Sequence, residues 1–313
     1  MCRPTRLDGK PSKSGRRRFF GYLTSPYVAR LAAVIAFFVV FPRAVAEEPA
    51  VFERSNLVAW CIVPFDSRMR VPAERAEMVK RLGFTKVAYD WRDNHVPSFE
   101  DEILQYKKHG IEYFAFWGTH DKAFELFTKY DLHPQIWLTL GSPKAATQAE
   151  RIAAAAKQML PLVERTAKIK CKLGLYNHGG WGGEPENLVA VCKLLREQHK
   201  ADHVGIVYNL HHGHEHIKDF EQSLAQMKPY LLCLNLNGMS TGGPQILPLG
   251  AGEHDVKLLK TIRDSGYAGL IGIIGHTNDD VELRLRDNLD GLDWILPQLV
   301  GKAAGPRPKY RTR

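Results

Sequence analysis

Polar side chains able to move protons or hold a sugar recur at the ends of short apolar runs along this chain. They are Asp90, Trp91 and Arg92; Trp117 and His120; Asn177 and His178; Asn209, His211 and His212; Asn235 and Asn237; and His276. An imidazole titrates near neutrality, and a carboxylate joins it when its pKa is raised, so both can take up and release a proton. That makes His178, His276 and Asp90 the candidate acid–base groups. An asparagine amide can only orient a hydroxyl, which makes Asn177, Asn209, Asn235 and Asn237 candidate binding groups. Trp91, Trp117 and Trp181 offer apolar faces for a sugar ring, and Arg92 a fixed cation.

The run Asn209-Leu210-His211-His212-Gly213-His214-Glu215-His216 is the densest group of possible metal donors, since neutral imidazole binds Zn, Mn or Co. Adjacent side chains diverge, so His212 is read as the inward one, with His178 and His276 as its fellow ligands. Gly179-Gly180-Trp181-Gly182-Gly183 lacks the glycine spacing of a dinucleotide or phosphate loop; its glycines would let backbone approach a ligand. Each residue taken singly also has an ordinary structural role, an Asn capping a helix or a Trp packing beneath one.

The segments that must position these groups alternate between short apolar runs and amphipathic stretches, the pattern of parallel strands with crossover helices. Strands are expected at 57–63, 86–90, 111–117, 135–140, 172–177, 204–209, 231–237 and 270–276. Helices are expected at 72–82, 99–109, 122–130, 147–166, 185–199, 217–228, 253–265 and 280–299. Eight such units make a single (β/α)8 TIM barrel over 57–299, with a lead-in at 47–56. An open doubly wound sheet usually has fewer units and a Gly-rich turn after its first strand, where this chain has Pro64-Phe65-Asp66-Ser67. In a barrel, catalytic groups sit at the C-terminal ends of strands, where the polar residues above collect. Alternation puts Gly174, Tyr176 and His178 on one face, as it does Val207 with Asn209, Cys233 with Asn235 and Asn237, and Ile274 with His276. If the glycines mark a crowded interior, His178, Asn209, Asn235 and His276 converge.

The first 46 residues read as a cleavable signal peptide. Arg16-Arg17-Arg18-Phe19-Phe20 lies in a basic start, 31–41 is apolar, and Ala44-Val45-Ala46 supplies a small-residue cleavage site before Glu47. Export to the periplasm or medium follows, by the general secretory or the twin-arginine route, with no membrane span after processing. Nine of the 43 Lys and Arg lie in that segment against one acid, leaving 34 bases and 33 acids, so the mature chain is nearly neutral. Neutrality argues against a nucleic-acid partner. The basic tail at 300–313 is expected to be disordered. Four cysteines remain, without CxxC spacing, so stability rests on a core. Nothing in the sequence fixes the oligomeric state.

The chain resembles the xylose isomerase-like barrels, the sugar phosphate isomerases and epimerases, over about 56–299. The landmarks are "LGFTKVAYDW" at 82–91, "KHGIEYFAFW" at 108–117, "LYNHGGWGGEPENL" at 175–188, "VGIVYNLHHGHEHI" at 204–217, "LPLGAGEHD" at 247–255 and "GLIGIIGHTNDD" at 269–280. The resemblance implies a divalent metal (Mn, Zn, Co or Mg) held by Glu, Asp, His and Glu at the ends of strands five to eight. Here Tyr176, Asn209, Asn235 and Gly275 or His276 stand at those places, and only His212 of the strand-six Asp-x-x-His element is kept. Two functions follow. One is an exported sugar isomerase, epimerase or lyase in which histidines replace carboxylates; the other is an inactive barrel that binds a sugar or glycan. A small-molecule carbohydrate is the expected partner in both.

Overall fold

The computed structural model describes residues 49–242 and 244–312. The segment read as a signal peptide and the start of the lead-in lie outside the described residues. Strands and helices alternate as β1 (Leu57–Trp60), α1 (Pro72–Arg81), β2 (Lys86–Tyr89), α2 (Phe99–His109), β3 (Glu112–Trp117), α3 (Asp121–Lys129), β4 (Gln135–Thr139) and α4 (Gln148–Lys168). They continue as β5 (Leu173–Tyr176), a short α5 (Gly180–Gly183), α6 (Pro185–His199), β6 (Val204–Asn209), α7 (Phe220–Met227), β7 (Leu231–Leu236), α8 (Asp255–Asp264), β8 (Leu270–Ile274) and α9 (Val281–Leu299). The strands form a closed parallel barrel in sequence order, sealed where Ala59 of β1 pairs with Ile273 of β8.

Local signals explain the boundaries. Thr147 and Glu150 form a reciprocal capping box at the start of α4, and α6 begins at Pro185, whose missing N–H costs nothing in a first turn. Gly110 ends α2 at φ +67°, a conformation few other residues adopt. Two apolar layers result. The larger lies between strands and helices, and the smaller fills the barrel with Val58, Trp60, Ala88, Ala115, Trp137, Tyr176, Val207, Cys233 and Ile274. Gly174 and Gly272 belong to the crowded interior: a Cβ on Gly174 would lie 2.6 Å from Val207, and one on Gly272 would strike the Asn235 amide.

The tail expected to be disordered is docked over its described residues. Tyr310 gives its hydroxyl proton to the Leu249 carbonyl, and Arg311 and Thr312 bind the buried Asp287 carboxylate of α9. One of the tail's bases, Arg311, has found specific acids in Asp287 and Asp290, a pairing that composition does not disclose. The Gly-rich loop differs too. It winds into α5, where Gly182 is pressed against the Leu140 carbonyl, so that glycine serves packing.

Candidate active site

The C-terminal ends of the strands surround a cup of about 530 Å³, its open mouth included. Trp60 and Cys61 come from the end of β1, Phe65 from the loop after it, Asp90 and Arg92 from β2, and Trp117 from β3. Tyr176 and His178 come from β5, Asn209 and His212 from β6, and His276 from β8. Trp60, Trp117 and Tyr176 form its aromatic floor above the buried Trp137, with Trp60 edge-on to Trp137 at 5.0 Å and Trp117 edge-on to Tyr176 at 4.6 Å between centroids. Such T-shaped contacts fix ring orientation as well as burying area.

Among the described residues Asp90 is the one carboxylate lining the cup, and it is 2% exposed. One of its oxygens accepts the Val63 amide at 3.3 Å, and the other has no hydrogen-bond partner. Burial raises its pKa to about 7, against the opposing pull of the Val63 amide and the Arg92 charge. The Val63 contact depends on the turn after β1, where Cys61 takes φ +57°, unusual for a residue with a side chain. The Cys61 thiol is itself pushed well up by burial and by Asp90, so it is not a ready nucleophile.

The cup also gathers a group of imidazoles. His178 and His212 lie 4.2 Å apart between ring centroids, His211 and His212 4.3 Å, and His211 and His276 5.7 Å. His276 also packs on Phe65 at 3.6 Å. Burial, reinforced by neighbouring cations and imidazoles, lowers His211 and His276 to about 4 and His212 to about 3. All three are neutral at pH 7, and each keeps one N–H to give.

The structure gathers His178, His276, Asp90, Asn209, Arg92, Trp117 and His212 in this cup and places the other sequence candidates elsewhere. Asn177 is fully buried and clasps β6, its carbonyl accepting the Asn209 N–H at 2.7 Å and its amide donating to the Asn209 carbonyl at 3.0 Å. Asn237 gives its amide protons to the carbonyls of Gly238 and Gln245, within the loop after β7. Asn235 lies beneath the cup, fully buried against Gly272. Trp91 stacks on Phe116 and donates to the Trp117 carbonyl, and Trp181 donates to Gln148 under the Arg151 guanidinium. Trp60, Cys61 and Phe65 line the cup without having been singled out, because the polar content of a strand end carries no mark for an apolar wall. His211 joins the cluster because a short 3-10 turn, Leu210–His212, brings successive rings together where an extended chain would part them.

The metal positions implied by the resemblance do not fit a divalent ion. The Asn209 amide donates to the Tyr176 hydroxyl at 2.5 Å, so two of the four places satisfy each other, and Asn235 brings a neutral amide to the third. Among the described residues no three His, Cys, Asp or Glu side chains are arranged to hold a metal. His178, His212 and His276, expected as a ligand set, pack ring against ring instead.

A closed parallel barrel with its polar cup at the strand ends defines the (β/α)8 class. No protein-family model and no curated protein matches the chain. Solved structures do match. A 3-keto-D-glucoside 4-epimerase from E. coli is 13% identical with a TM-score of 0.58, covering 76% of this chain and 99% of that one. The IOLI protein with a bound zinc atom is 11% identical with a TM-score of 0.59, covering 78% and 99%. A xylose isomerase-like TIM barrel protein from Mycobacterium smegmatis, in complex with magnesium, is 14% identical with a TM-score of 0.53, covering 78% and 97%. At such identities the fold is what is shared, and this chain has the TIM barrel fold of these structures.

Proposed function

We propose that this chain is an exported sugar-modifying enzyme of the epimerase, isomerase or lyase type that moves a proton on a carbon next to a carbonyl. The observation that carries the reading is Asp90, a buried carboxylate in an aromatic cup with one oxygen unpartnered and a pKa of about 7. A general base works best when its pKa lies near the working pH. The sugar-epimerase neighbour supports the substrate class, as fold-level analogy.

In this mechanism the ionised Asp90 takes the proton from the carbon beside the carbonyl. The C–H electron pair moves into the enediolate, whose charge collects on the former carbonyl oxygen. His212 and His276, held neutral, give their N–H groups to that oxygen, as a neutral imidazole does better than a cation that would surrender its proton. Strand order places β2 and β6 across the barrel from each other, so Asp90 and the His178–His212 pair approach a bound ring from different sides. His178 returns a proton from that side for epimerisation; loss of a neighbouring hydroxyl instead gives a lyase. Trp60 and Trp117 carry the ring's apolar face, and Asn209 remains bound to Tyr176.

The test is a screen of free sugars and keto-glycosides in deuterated water, read by NMR for deuterium at the carbon beside the carbonyl. Exchange with at least one of them is expected. Saturable binding of a sugar with no exchange in any would favour the inactive, sugar-binding barrel. Export is tested apart from chemistry, by sequencing the N-terminus of protein recovered from periplasm or medium. It should begin at or near Glu47, and an intact Met1 on cytosolic protein would refute it.

A further inference from the structure

The charge of the cup points to one kind of sugar. Among the described residues Asp90 is the one carboxylate in the lining, and burial at the end of β2 raises its pKa to about 7, so it carries less than a full negative charge at neutrality. The one permanent charge in the lining is then the Arg92 guanidinium. Arg92 is exposed at the mouth, with its Cζ 5.3 Å over the Phe65 ring and one of its N–H groups on the adjacent Trp91 carbonyl. Among the described residues no carboxylate lies within ion-pair distance of it, although Arg70 and Arg75 nearby are both paired with acids. A guanidinium held by an aromatic face and a carbonyl, yet given no acid, presents a planar fork of donors to whatever enters.

We infer that the cup takes a sugar acid, its ring or chain against Trp60 and Trp117 and its carboxylate on the Arg92 fork. The inference rests on the proton-transfer reading of the same site and narrows its substrate to a class. A carboxylate matches the fork with two parallel hydrogen bonds and one negative charge. A phosphate dianion asks for more, such as a second Lys or Arg, and among the described residues Arg92 is the one such side chain in the lining. The placement also suits the chemistry, because a cation at the mouth offsets the substrate's charge while Asp90 ionises to act.

Binding of D-glucuronate, D-glucose and glucose 6-phosphate to the processed protein, measured by calorimetry at low salt, tests this. Glucuronate should bind about ten- to a hundredfold more tightly than glucose, the range for hydrogen bonds to a charged group, and glucose 6-phosphate no more tightly than glucuronate. Arg92→Gln should bring glucuronate down to the level of glucose, with an unchanged thermal melt by circular dichroism showing that the variant is folded. Equal binding of glucose and glucuronate by the unaltered protein, an unaltered preference in Arg92→Gln, or a clear preference for the phosphate would each overturn the sugar-acid assignment. Failure here is separable from failure of the proton-transfer reading: deuterium exchange into a neutral keto-sugar that depends on Asp90 and ignores Arg92 would keep the reaction and remove the sugar acid.

Discussion

The carboxylate of Asp90 and the backbone amide of Val63 are joined by a single 3.3 Å hydrogen bond that ties the end of β2 to the turn after β1. It satisfies one oxygen of a buried acid and leaves the other without a partner. Burial outweighs that bond and the distant cations, which is why the pKa rises to about 7.

This relationship has a consequence for stability. With a folded pKa raised above its unfolded value near 3.8, Asp90 favours the folded state most below about pH 4 and destabilises it progressively as pH rises to about 7. His211, His212 and His276 act oppositely: their folded pKa values are depressed, so stability is lost as pH falls from about 6.5 toward 4, in part only, because the rings are partly exposed. Asp90→Asn should therefore be about 1 kcal/mol or more stabler than the unaltered protein at pH 8, with the gain gone by pH 4. Urea melts at the two pH values check this; an equal shift at both would remove the raised pKa.

Asn177 is placed as a clasp between β5 and β6, not as a substrate contact. Replacing it by Ala should cost about 1–3 kcal/mol of stability, because buried backbone groups of Asn209 lose their partners. Unchanged denaturant midpoint with a raised KM would show that it binds substrate after all.

The docked tail makes a further prediction. Deleting residues 306–313 removes Arg311 and Thr312 from the buried Asp287 and frees the Leu249 carbonyl from Tyr310, so stability should fall by about 1–3 kcal/mol. A disordered tail would be shed without change in the melting temperature.

Chelation separates this site from a metal-dependent one. The places where carboxylate ligands are implied hold Tyr176, Asn209 and Gly275 or His276, the place of the implied His holds Asn235, and an amide oxygen is a poorer donor than a carboxylate. Dialysis against a strong chelator should leave turnover within about twofold. A loss restored by added Zn or Mn would show that His178, His212 and His276 rearrange around an ion.

The barrel was legible because strands covered on both faces read as apolar runs and the helices between them carry end signals, as at Thr147, Pro185 and Gly110. The strand-end residues were legible for the same reason, since strand periodicity fixes which side chains share a face. What periodicity cannot give is depth. Asn235 and His276 follow the same alternation, yet one lies under the cup and the other in its wall. Asn177 lies on the opposite face from His178, where its amide bridges two strands. His211 entered the site through a local 3-10 turn, and Trp60 and Phe65 through packing, neither of which leaves a periodic trace.

The most direct measurement is the rate of solvent deuterium incorporation at the carbon beside the carbonyl of a bound sugar, followed by NMR against pH for the unaltered protein and Asp90→Asn. Exchange by the unaltered protein should rise with pH through an apparent pKa near 7 and level off above it, as the base form of Asp90 fills. Asp90→Asn should lose about a hundred- to ten-thousand-fold of that rate while still binding the sugar. Exchange that proceeds in Asp90→Asn at an undiminished rate, with the same dependence on pH, would contradict the assignment of Asp90 as the proton carrier.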